Sequence, residues 1–136
     1  MKPRSETNRV IFHHSLSNFG DVDIIRKWHI NRTDAKFEDI GYHFVVTVEG
    51  RFQHGRNIRM IGAHALGKNK DSIGVCIVGD FNLYKPNSHQ INECARLYHD
   101  LCRAYGKTLN IEYHHELCPG FMLDRVALKK TLLEML

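Results

Sequence analysis

The tightest constraint on this chain is a stretch of seven residues. Ile73-Gly74-Val75-Cys76-Ile77-Val78-Gly79 carries no charge and is apolar almost throughout. It reads as a strand buried on both faces. A strand of that kind belongs in the middle of a sheet that has helices packed against it.

The rest of the chain supplies such partners. Val10-Ile11-Phe12 is a short apolar strand running into His13-His14-Ser15. Asp21 reads as an N-cap, after which Val22, Ile25, Trp28 and His29 recur at helical spacing to about Arg32. Residues 41–48 are β-branched and aromatic. Glu49-Gly50 and the segment 51–54 follow as a hairpin signal. Residues 57–71 are polar and irregular, with Gly62 and Gly67 as loop markers. Ser88 is placed to cap a second helix, whose stripe is Ile91, Cys94, Ala95, Tyr98, Leu101, Cys102 and Tyr105, and Gly106 ends it. Residues 108–113 form another strand that leads into His114-His115, and residues 124–136 form a terminal amphipathic helix. The order β-α-β-β-β-α-β-α predicts a single α/β domain over 1–136, with a mixed central β-sheet flanked by helices. Residues 1–8 are expected to be a flexible tail.

Composition excludes several classes. No apolar run approaches the roughly 20 residues of a transmembrane helix. The segment 1–9 has basic residues but no apolar stretch behind them, so a secretory signal is not expected. Synthesis in the cytoplasm follows, with any route outward supplied by something else. The formal net charge of +4 would suit a polyanion, and equally a solubility charge. No helix-turn-helix, zinc-finger or aromatic stacking pattern accompanies it, so no nucleic-acid partner is expected. Of the four cysteines, Cys94 and Cys102 fall on one helix about 12 Å apart, beyond the ~7 Å reach of a disulfide. Reduced thiols are expected. Cys76, Cys94 and Cys102 read as core residues, whereas Cys118 has polar, turn-forming neighbours.

Among ten histidines, position does the sorting. His13 and His114 each close a predicted strand, at the sheet edge where α/β proteins gather ligand sites. Cys118 follows His114 within Leu117-Cys118-Pro119-Gly120, where proline and glycine force a turn. Two imidazoles and a thiolate can hold a tetrahedral Zn2+ with one open position, the arrangement of catalytic zinc. Spacing alone also admits a second reading, with His13 and His114 as strand-end hydrogen-bonders and Cys118 as a buried thiol.

Five segments in register narrow this choice. They are 10–15 (Val-Ile-Phe-His-His-Ser), 41–44 (Gly-Tyr-His-Phe), 62–65 (Gly-Ala-His-Ala), Asn69 with Ser72-Ile73-Gly74-Val75, and His114 through Cys118-Pro119-Gly120. Together they resemble the type 2 N-acetylmuramoyl-L-alanine amidases, a group that includes small phage endolysins and peptidoglycan recognition proteins. The resemblance runs from about Arg9 to Asp124. It implies a zinc hydrolase that cuts between the muramoyl lactyl group and L-alanine, acting on peptidoglycan or muropeptides. It implies His13, His114 and Cys118 as metal ligands and Tyr42 as the catalytic helper. It also implies His64 and Asn69 as lining of the substrate groove, with His14, His43 and His115 as outer-shell or surface residues. A phage or prophage endolysin is the expected role, and a muropeptide-recycling amidase shares its traits. Non-catalytic peptidoglycan-binding and regulatory protein-binding relatives also exist, and the presence of Cys118 favours an enzyme.

Two departures stand out. Phage members often carry a lysine two residues before the ligand cysteine, where this chain has Glu116, and other members carry a glutamate where it has Cys76. That leaves Tyr42 as the main candidate for acid-base or oxyanion work, with His115 or Arg125 as possible substitutes.

Overall fold

A computed structural model describes residues 1–34 and 37–136 of the chain. Its elements are β1 (Arg9–His14), α1 (Val22–Ile30), β2 (Phe44–Val46), β3 (Phe52–His54), β4 (Ser72–Ile77), α2 (Ser88–Tyr105), β5 (Asn110–Tyr113) and α3 (Arg125–Glu134). The order is the expected one. The five strands form one mixed sheet in the order β3-β2-β4-β1-β5, with β2–β3 antiparallel and the other pairs parallel. The apolar run provides the central strand β4, in which every residue is buried.

Alternation along the strands divides the interior into two unequal layers. Phe12, Val75 and Phe44 stand in register and join Ile73, Ile77, Val10 and Val46 on the face covered by α2 and α3, against Tyr98, Leu101, Leu128 and Leu132. The opposite face carries the smaller cluster of Ile25, Ile40, Val45, Cys76 and Val78, with α1 supplying Ile25. A fully buried Val, Leu, Ile or Phe is worth about 1.5–3 kcal/mol. The larger layer therefore carries most of the stability, which leaves the thinner face free to hold polar groups.

The helix ends follow local chemistry. Asp21 caps α1 by accepting from Ile24 N–H at 2.9 Å. The cap of α2 is Asn87 rather than Ser88. Its side chain accepts from Gln90 N–H, and the Gln90 side chain accepts from Asn87 N–H in return, a reciprocal box that Ser88 would have to shift by one residue to make. Gly106 ends α2 at φ 66, in the left-handed region that costs glycine least.

Elsewhere the chain departs from its local signals. Residues 41–43, expected within a strand, lie outside β2 because close contacts fix their path: a Cβ on Gly41 would lie 2.1 Å from the Ala63 carbonyl oxygen. Trp28, on the expected apolar stripe of α1, is exposed and packs edge-on against Phe19. The expected flexible tail 1–8 is laid down on the domain. Arg4 N–H donates to the Arg59 carbonyl, its guanidinium bonds the Thr7 and Tyr105 hydroxyls and the Met60 carbonyl, and Lys2 accepts from Ile61 N–H. Buried Arg56 gathers the loops of the thin face by donating to the carbonyls of Ile40, Ile61 and Asp39. Among the described residues no helix is long and apolar enough to cross a membrane.

Candidate metal centre

Strand alternation sends the paired histidines of β1 to opposite faces. His13 stands in register with Cys76 and Val45 on the thin side, fully buried. His14 points to the thick side and stacks on Phe81. His114 follows the last residue of β5, which neighbours β1, and its N–H donates to the Phe12 carbonyl. The chain then doubles back: His115 and Cys118 exchange backbone hydrogen bonds of 2.9 and 3.2 Å. Gly120, at φ 95, carries it close under Phe81, where a Cβ would lie 2.4 Å from the Phe81 carbonyl carbon.

The result is that the ligating atoms of His13, His114 and Cys118 all lie within 4.8 Å of one another. They form a group that could hold one metal ion, and among the described residues no other three His, Cys, Asp or Glu side chains converge in this way. Cys118 Sγ is 3.7 Å from His13 Nδ1. Burial, reinforced by His64 and His114 nearby, keeps His13 well below the ordinary histidine range, so its imidazole is neutral and able to ligate. Burial raises the Cys118 thiol, opposed by the His14 amide N–H at 3.4 Å from Sγ and by the Arg125 charge.

A second set of residues steadies the three. His14 accepts from Phe81 N–H at Nδ1 and donates from Nε2 to the Leu117 carbonyl, clamping the segment before Cys118. Arg125, a possible catalytic substitute on sequence grounds, has its guanidinium engaged by the His115 and Glu116 carbonyls at 2.7 Å each and lies over the Tyr113 ring. His115 is exposed, and its Nδ1 accepts from Leu117 N–H.

His13 and His114 open onto a cleft of about 520 Å³ that is also lined by His29, Arg32, Phe37, Ala63, Leu66 and Asn69. Tyr42 lines it, its ring 5.0 Å from that of His13 and 5.3 Å from that of His29. Burial, with the neighbouring Cys76 and Cys118, lifts the Tyr42 phenol well above its usual range, so it stays a hydrogen-bond donor. His64 borders the cleft, but both of its ring nitrogens are engaged, with His13 and with Ser72. Asn69 Oδ1 accepts from the backbone N–H groups of His64 and Ala65 at 2.9 Å each, which fixes that loop. The sequence reading gave no site role to three contributors: His29, Arg56 and Ser72. His29 did leave a signal, being a polar residue on the apolar stripe of α1.

The buried histidines set an acid limit. Burial lowers His43 to about 4 and His64 to about 3. Above pH ~6.5 neither form of the protein binds the extra protons; below it the unfolded chain takes them up and the folded chain does not, so stability falls as pH drops. Each of the two should remove up to about 2 kcal/mol by pH 5. Urea midpoints of the metal-free protein at pH 7 and pH 5 check this, and equal midpoints would contradict the buried neutral assignment.

Comparison with known proteins agrees with this architecture. A family model described as N-acetylmuramoyl-L-alanine amidase matches residues 3–121. The chain is 34% identical over 137 residues to the endolysin of Enterobacteria phage T3, covering 91% of this chain and 87% of that protein. Its fold is similar to that of the N-acetylmuramoyl-L-alanine amidase LysC from Clostridium intestinale URNW, with a TM-score of 0.85 and 26% identity over 94% of this chain and 86% of that one. It is also similar to a chain in the ectodomain complex of peptidoglycan recognition proteins LCa and LCx bound to tracheal cytotoxin, with a TM-score of 0.82 and 27% identity over 93% of this chain and 84% of that one.

Proposed function

The chain belongs to the N-acetylmuramoyl-L-alanine amidase family, and we propose that it performs the family reaction with one zinc ion held by His13, His114 and Cys118. Its substrate is peptidoglycan or a muropeptide, and the bond cut is the amide between the lactyl group of N-acetylmuramic acid and L-alanine. The observation that carries the metal assignment is the convergence of the three ligating atoms within 4.8 Å. Zinc–sulfur and zinc–nitrogen bonds of about 2.3 and 2.0–2.1 Å put S and N of a tetrahedral site about 3.6 Å apart. The 3.7 Å between Cys118 Sγ and His13 Nδ1 fits that spacing. The donor set, two neutral imidazoles and a thiol that can ionise, is of the kind zinc takes.

Bound there, zinc supplies Lewis acidity, making a water nucleophilic near neutral pH and polarising a carbonyl. The protein does the rest. Its cleft presents the scissile amide to the three ligands, and the Tyr42 hydroxyl, kept protonated, donates to the oxygen on which negative charge develops. Asn69 lines the same cleft, and with its oxygen engaged by the loop its amide NH2 remains for the substrate. His64 contributes from behind His13. The relation to phage endolysins supports a role in wall degradation once the protein reaches the wall.

The bond cut is the direct test. Digested wall should gain N-terminal alanine and no new reducing sugar ends, measured on one digest by amine labelling and a reducing-sugar assay. A glycosidase needs two carboxylates across the glycosidic bond. New reducing ends without alanine termini would overturn the assignment.

A further inference from the structure

The structure assigns His64 and Ser72 a positioning role: they lock His13 in the tautomer that leaves Nδ1 free to bind metal. The assignment rests on the metal reading above. Its evidence is a chain of hydrogen bonds whose directions are forced from the far end. Ser72 Oγ is 2.7 Å from the Lys68 carbonyl oxygen, which can only accept, so the serine proton is used there. Its oxygen can then only accept from His64 Nε2, 3.2 Å away. A neutral His64 protonated at Nε2 has a bare Nδ1, and that atom lies 2.9 Å from His13 Nε2. His13 must therefore donate from Nε2, which leaves Nδ1 unprotonated on the side facing Cys118 Sγ. Carbonyl, serine and two imidazoles thus transmit one direction inward.

The backbone is shaped to keep this ring in place. Gly74 lies beside it in β4, where a Cβ would come within 2.5 Å of His64 Cγ, and a Cβ on Gly62 would come within 2.6 Å of its Cδ2. Asn69 holds the His64 and Ala65 amides from the other side. The ring therefore stands in a slot that only glycine leaves open, and His64 is buried with no nitrogen left for a substrate.

Zinc affinity of the purified full chain, measured by competition with a chromophoric chelator, tests the role. Outer partners of metal-binding histidines are worth about 10–100-fold in affinity. His64→Leu should lose that much. His64→Asn, whose amide oxygen can stand near the place of Nδ1, should recover most of it, and Ser72→Ala should fall between. Gly74→Ala should weaken zinc by displacing the ring, although it removes no hydrogen-bonding group. Wild-type protein that binds no zinc overturns the metal reading and this inference with it. Wild type that binds, with His64→Leu binding equally, overturns this inference alone. Long-range proton–nitrogen spectra of the zinc-loaded wild type need no variant. His64 protonated at Nε2 and bare at Nδ1 is expected, and the opposite tautomer refutes the relay.

Discussion

Replacing Cys118 by Ser, or His13 or His114 by Ala, is expected to reduce wall hydrolysis by about 10³-fold or more, since Lewis-acid stabilisation is worth several kcal/mol and each ~1.4 kcal/mol is tenfold. Chelation of the wild type should have the same effect, and metal analysis should find near one zinc per chain in the parent and little in the three variants. The fold should survive, because the three side chains lie outside the apolar cluster packed under α2 and α3. His115→Ala should keep its metal, being an exposed residue whose Nδ1 is taken by Leu117 N–H and whose ring rests on that of His114 without joining the three converging ligand atoms. His14→Ala should keep zinc with lower affinity, since it loosens the Leu117 carbonyl next to Cys118. Metal content that follows His115 and not His114 would mean that the ligand closing β5 has been misplaced by one residue.

Tyr42→Phe is expected to keep the fold and the zinc and to lose about 10²-fold or more in kcat, the range of oxyanion and general acid-base contributions. Only the hydroxyl is removed. The ring, packed between His13 and His29, stays. Burial, with Cys76 and Cys118 adding to it, holds the phenol well above its ordinary range, so at working pH it donates and does not act as a base. The loss should therefore appear in kcat more than in KM, because a donor aimed at developing charge acts in the transition state. Activity within a few fold of the parent would make Tyr42 a packing residue. With Arg125 committed to two carbonyls, the chain has few substitutes.

The element order was legible because it rests on short-range physics. A run with no polar residue must be buried on both faces, a 3.6-residue stripe must be a helix, and Asp21, Gly106 and Asp124 cap or end helices through contacts a few residues long. Boundaries were less secure for the same reason. Asn87 and Ser88 are both competent caps, and the reciprocal bond from Gln90 decided between them. Residues 41–43 have strand composition, yet the Ala63 carbonyl and the His29 ring settle their path.

What the sequence determined by itself is the stock of candidate ligands, two of them at strand ends. His13 follows an apolar run, His114 follows an alternating strand and Cys118 sits in a forced turn, and the resemblance of five ordered segments to a known family added the chemistry. The tertiary structure alone decided where each histidine stands relative to the others. His13 and His14 are indistinguishable in composition, and strand alternation puts them on opposite faces only once β4 and β5 have flanked β1. The partner of His13 lies 51 residues away in a loop. That loop is brought home by strand order and by the gaps left at Gly62 and Gly74. Local propensity acts over a few residues, whereas a hydrogen-bond chain from Lys68 to His13 exists only when the whole sheet is assembled.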